Sequence, residues 1–125
     1  MIHRAARLAV ICIVALAAMA AAQTPFWTPG AGQIARLETL VKPSAGIEPL
    51  AKYDRAYAGM TLSGRKMIEG RWVRRPWSAS PQNIDPRIVN FGDLPDIADG
   101  GCSVVTVMYD VQIDKIAFLE CNGRG

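Results

Sequence analysis

Two stretches near the C-terminus, Cys102–Tyr109 (CSVVTVMY) and Asp114–Cys121 (DKIAFLEC), decide the fold. The first is dense in β-branched residues, which suit a pleated, half-buried surface, and the second is a run of matching length. The four residues Asp110–Ile113 between them predict a hairpin. In the register this implies, Tyr109 faces Asp114, Val107 faces Ile116, Val105 faces Phe118 and Ser103 faces Glu120. The other face then pairs Met108 with Lys115, Thr106 with Ala117, Val104 with Leu119 and Cys102 with Cys121. If Tyr109/Asp114 is a hydrogen-bonded pair, parity makes Cys102/Cys121 a non-hydrogen-bonded one, with α-carbons about 4.5 Å apart and within reach of a disulfide. The bridge is expected on the face of Val104 and Leu119, opposite Val105/Phe118.

Upstream of this hairpin the texture is mixed. Lys66–Arg74 (KMIEGRWVR) reads as a strand, with Gly70 as a candidate bulge. Met60–Leu62 is a short extended piece, and Ser63-Gly64 a turn. Pro76 to Pro86 holds three prolines and reads as a long loop. Arg87–Phe91 is a candidate short strand, and Asp93–Asp99 a single helical turn broken by Gly100-Gly101. Apolar positions at 34, 37, 40 and 41 predict a helix over 34–41, stopped by Pro43. Leu50, Tyr53 and Tyr57 share a helical face, Pro49 suits a first turn and Gly59 a stop, so a second helix is expected over 49–58. The expected fold class is α+β: two short N-terminal helices packed on a small antiparallel sheet of three or four strands that ends in a disulfide-braced C-terminal hairpin.

The N-terminus reads as a secretory signal peptide. Arg4 and Arg7 precede an unbroken apolar run, Leu8–Ala17, which is followed by A-x-A cleavage patterns at 18–20 and 20–22. That run is shorter than the roughly 20 residues a bilayer demands. The expected organisation is a signal peptide over 1–22, a flexible Pro/Gly-rich leader over 23–33 and one small domain over 34–125. Cleavage before Gln23 leaves 103 residues, enough for one modest core.

Cleavage also changes the chemistry. The net charge of +3 includes Arg4 and Arg7, so the mature chain carries only +1 and nucleic acid is not an expected partner. His3 is the single histidine and leaves with the signal. Ser-His-Asp and Cys-His catalysis and histidine-based zinc sites are thereby excluded from the mature chain. Cys12 lies in the signal run with Ile11 before it, unlike a lipid-attachment cysteine. Cys102 and Cys121 remain, an even count that argues for one disulfide in an oxidising compartment.

Three apparent motifs fail on context. Gly30–Ala35 fits a loose G-x-G-x-x-A, but no strand or βαβ unit precedes it. Ser63-Gly64-Arg65-Lys66 fits S-x-x-K, but sits at a turn without S-D-N or K-T-G partners. Asp93, Asp96 and Asp99 lack the spacing of a calcium loop. No cofactor is implied. The charge distribution is more informative: residues 52–87 carry about +5 and residues 88–125 about −4. Arg71, Trp72, Arg74, Arg75 and Trp77 form an Arg/Trp cluster of the kind found at interaction hot spots. An envelope protein or an anionic envelope polymer or lipid headgroup would suit it. The alternative is that Trp72 is core, Trp77 covers a loop and the basic strand pairs with the acidic half.

The segments Tyr53–Gly59 (YDRAYAG), Gly64–Gly70 (GRKMIEG), Asp99–Cys102 (DGGC) and Cys121–Gly123 (CNG) resemble a group of small uncharacterised exported proteins of alphaproteobacteria. The resemblance spans roughly residues 50–123 and implies an exported domain with a two-cysteine hairpin. It implies no activity and no functional residues. The expected function is therefore a non-enzymatic binding or structural component of the cell envelope, periplasmic or secreted. The competing expectation is an enzyme inhibitor or a small histidine-independent hydrolase working through carboxylates.

Overall fold

The computed structural model describes residues 25–42, 44–75 and 85–123. The signal peptide, Trp77 and most of the Pro76–Pro86 loop lie outside the described residues. Chain order is β1 (Phe26–Trp27), α1 (Ala31–Leu40), a 3-10 turn (Leu50–Lys52), β2 (Tyr53–Leu62), β3 (Arg65–Arg74), β4 (Arg87–Ile88), a second 3-10 turn (Phe91–Asp93), β5 (Gly101–Asp110) and β6 (Lys115–Asn122). The strands form one sheet in the order β1-β2-β3-β5-β6, antiparallel throughout this path, while β4 adds parallel to β2.

This corrects the expected architecture. The sheet has six strands rather than three or four, and α1 is the one α-helix among the described residues. The helix expected over 49–58 is a 3-10 turn followed by β2. The physical cause is a degenerate spacing: residues four apart share a face in a helix and equally in a strand. Tyr53 and Tyr57 satisfy both periods. Alternation is hidden because β2 is covered on both faces, with Tyr53 through Gly59 all buried. The segment expected as a leader contains β1 and the first turn of α1. Trp27 Nε1 donates to the carbonyl of Met60 at 2.9 Å, and the Gly30 amide donates to Gln33 Oε1 at 2.9 Å where α1 begins. The helical turn expected over 93–99 is replaced by the 3-10 turn at Phe91–Asp93.

The core lies between α1 and one face of the sheet. Ladder pairing stacks residues in rows across this face: Tyr57, Gly70, Val107 and Leu119 in one, Arg55, Trp72, Val105 and Cys121 in the next. Ile34 and Leu37 of α1 close over Tyr53, Tyr57, Ile68, Trp72, Val105, Val107 and Tyr109. Gly70 is not a bulge, since β2 and β3 pair without interruption from Tyr53/Arg74 to Leu62/Arg65. Its role is space. A β-carbon there would sit 2.6 Å from Tyr57 Cε1 and 2.5 Å from Val107 Cγ1. On the other face Leu94 packs on Ala56 and Ala58, and Arg87 ties β4 to β2 through both oxygens of Asp54, at 3.1 and 2.9 Å.

Both hairpins exist. Ser63 and Gly64 each take positive φ, 50° and 75°, as a two-residue turn between twisted strands requires. The C-terminal hairpin has a different register from the one expected. Asp110 pairs with Lys115, Tyr109 with Ile116, Met108 with Phe118 and Val107 with Leu119. The turn moves to Val111–Asp114 because Asp110 Oδ1 accepts the amides of Gln112 and Ile113 at 3.0 and 3.3 Å, holding Asp110 as the last strand residue. Ala117 is then an extra residue between the Tyr109/Ile116 and Met108/Phe118 pairs. A second irregularity between Gly101 and Val105 restores the expected alignment at the far end, where Gly101 faces Asn122. Cys102 and Cys121 accordingly form a disulfide, with α-carbons 4.5 Å apart. Its surroundings differ from expectation. Cys121 lies opposite Val105, in the row beneath α1, and the Cys102 sulfur sits against Gly46.

Candidate functional site

Glu38 projects from the buried side of α1, one turn after Ile34, and clamps the helix to the sheet. Arg55 Nε donates to its Oε2 at 2.6 Å, and the Tyr57 hydroxyl donates to the same oxygen at 2.8 Å. Trp72 Nε1 donates to the Tyr57 oxygen at 3.0 Å, and Arg55 Nη1 to the Leu50 carbonyl at 2.7 Å. Burial and the adjacent Glu38 charge push the Tyr57 hydroxyl well above the ordinary tyrosine range, so it remains a neutral donor. The arrangement pairs the polar atoms of Glu38, Arg55, Tyr57 and Trp72 with one another.

A second polar strap joins α1 to the β5–β6 turn. Asp114, at φ 53°, accepts from Arg36 Nη2 at 2.7 Å and Nε at 3.0 Å, and from the Tyr109 hydroxyl at 2.5 Å. The hydrogen bonds from Arg36 and Tyr109 hold the Asp114 carboxyl down at about 2. Burial, then the hydrogen bond to Asp114, pushes Tyr109 up to about 12. The strap is thus a fixed carboxylate between a cation and a neutral phenol.

Beside it, a groove of about 480 Å³ opens between the end of α1 and β6. Leu40, Val41, Ile116 and Leu119 supply its apolar walls, with Lys42, Ser44 and Asp114 among the polar groups. The groove runs along a sheet edge. Among the described residues no strand pairs with the outer side of β6. The opposite side of the sheet is closed: β1 takes Gly59 and Met60 of β2, β4 takes Ala56 and Tyr57, and Thr61 N–H donates to the Pro25 carbonyl at 2.7 Å. One flank is plugged by short strands while the other presents an eight-residue edge next to an apolar groove.

The described residues of the Arg/Trp cluster, Arg71, Trp72, Arg74 and Arg75, do not share one face. Trp72 is fully buried beneath α1. Arg71 lies on the other face, where Nη1 donates to the Pro95 carbonyl at 2.5 Å and Nη2 meets Glu69 at 3.4 Å. Arg74 pairs with Glu48 at 3.0 Å, and the Arg75 amide donates to the Lys52 carbonyl at 3.0 Å. Trp77 lies outside the described residues. Glu69 and Asp96 both line a cleft of about 340 Å³ with Arg71, Phe91, Gly92 and Leu94, where the Glu69 carboxylate is held by Arg71. Among the described residues no three Asp, Glu, Cys or His side chains gather as a metal site, and no helix is long and apolar enough to cross a membrane.

Sequence reading passed over Glu38 and the β6 edge. Glu38 carries a signal, because it is four residues from Ile34 and one from Leu37, on the stripe that faces the core. The β6 edge carries none, since edge position depends on strand order. No family model, curated protein or solved structure matches this chain.

Proposed function

We propose that this chain is an exported, non-enzymatic binding component of the cell envelope that takes up an extended polypeptide segment along β6. The observation that carries the reading is the open β6 edge lying against the apolar groove. Strand addition of this kind draws affinity from main-chain hydrogen bonds and specificity from pockets for alternate side chains. Ile116 and Leu119 line such a pocket, together with Leu40 and Val41. Stiffness supports the reading too. The Cys102–Cys121 bridge fastens one end of β6 to β5, and the Arg36–Asp114–Tyr109 strap fastens the turn at the other. A pre-organised edge loses little conformational freedom on capture. Export is supported by the signal-type sequence at 1–22 and by the disulfide.

A photo-reactive residue at position 117, on the β6 edge, should give covalent adducts in cells producing the full chain. The same residue at position 62, beside the β2–β3 turn, should give few. Equal labelling from both positions, or none from position 117, would overturn the reading.

A further inference from the structure

We infer that the strand captured by β6 is β6 of a second copy, paired antiparallel about a twofold axis through Ala117 and Phe118. This rests on the strand-capture reading and names its partner. A strand pairs with itself only if the residues brought opposite each other point to the same face. In an unbroken strand Lys115 and Glu120 would point to opposite faces, because their separation is odd. The extra residue Ala117 changes this. Lys115, Phe118 and Glu120 pair with Asp110, Met108 and Thr106 and so share one face, while Ile116 and Leu119 pair with Tyr109 and Val107 and share the other. Twofold pairing then sets Lys115 against Glu120 of the second copy, and Glu120 against its Lys115. On the helix side, Ile116 meets Leu119 of the second copy, and reciprocally, beside the groove.

The register is therefore complementary in both charge and polarity. Opposite charges directly across a ladder are favourable and like charges unfavourable. Phe118, 39% exposed in the single chain, falls next to the axis, opposite Ala117 of the second copy. A lysine and a bulge on an edge strand ordinarily turn away other strands. Here the bulge lies on the axis, so only a strand with the same offset matches it, and the lysine is matched only by a glutamate at the symmetric place. Features that reject foreign edges select a second copy.

Sedimentation equilibrium of the purified, disulfide-intact mature chain tests this. The wild type should show a concentration-dependent dimer. Lys115→Glu and Glu120→Lys, each creating two like-charge oppositions, should each weaken it by about tenfold. Combining the two reverses both charges and should restore the wild-type constant, while unchanged far-ultraviolet circular dichroism and urea midpoints of the single variants show that they fold. A chain that stays monomeric at every concentration, or a dimer indifferent to all three variants, would overturn the inference. A monomer that still gives adducts from position 117 with a different protein overturns self-pairing and leaves strand capture standing. Absence of adducts from position 117 removes strand capture itself.

Discussion

Replacing Glu38 with alanine should destabilise the chain by roughly 3–5 kcal/mol, the scale seen when one partner of a buried ion pair is removed. The Arg55 side chain is only 8% exposed, and without Glu38 it loses the carboxylate that accepts from its Nε. The Tyr57 hydroxyl loses its acceptor while still receiving the Trp72 N–H. A small domain has about 5–15 kcal/mol in total, so the variant should sit near the edge of folding. Urea denaturation measures the effect. Adding Arg55→Met should recover much of the loss, because removing both charges from a buried site is far less costly than removing one. A loss below about 1 kcal/mol for Glu38→Ala would mean that water already reaches the pair.

Reduction of Cys102–Cys121 should remove up to roughly 3 kcal/mol, from the entropy regained by a loop whose ends are 19 positions apart. Strand pairing already closes part of that loop, so this figure is an upper value. The melting temperature should fall by about 14 °C at that upper value. Thiol titration of the unfolded, unreduced mature chain should find no free thiol. Two titratable thiols in freshly exported protein would contradict the bridge. The consequence for function is local. Reduction leaves the strap at Asp114 in place but frees the far end of β6, so capture should weaken even where the core survives.

The hairpins were the most legible part of the chain because their signals are local. Ser63-Gly64 marks its turn through backbone conformation, and the two cysteines meet at a spacing that hairpin geometry favours. The register between them was not legible. It depends on the Asp110 side chain folding back onto the turn, which residue type allows but does not fix, and on two irregularities that offset one another and leave no mark in residue type. Gly70 was visible as unusual, but its reason is the Tyr57 ring on the neighbouring strand. The 49–58 segment misled because Tyr53 and Tyr57 fit two periods, and because a buried arginine, Arg55, lies between them on the same face of β2. There it is paired with Glu38, 17 residues earlier. Trp72 behaved as the core residue that the alternative reading expected. The candidate edge could not be read at all, since which strand ends a sheet is decided by the association of distant segments.

Residue-resolved amide exchange across the sheet tests the strand-capture account most directly. In dilute chain, alternate amides of β6 should exchange much faster than those of β3, which is paired on both sides, and faster than the covered amide of β2 at Thr61, which donates to the Pro25 carbonyl. On association these β6 amides should slow sharply while the β2 side stays unchanged. Alternate β6 amides already protected in dilute chain, or unaltered when the chain associates, would contradict the claim that this edge is where the protein binds.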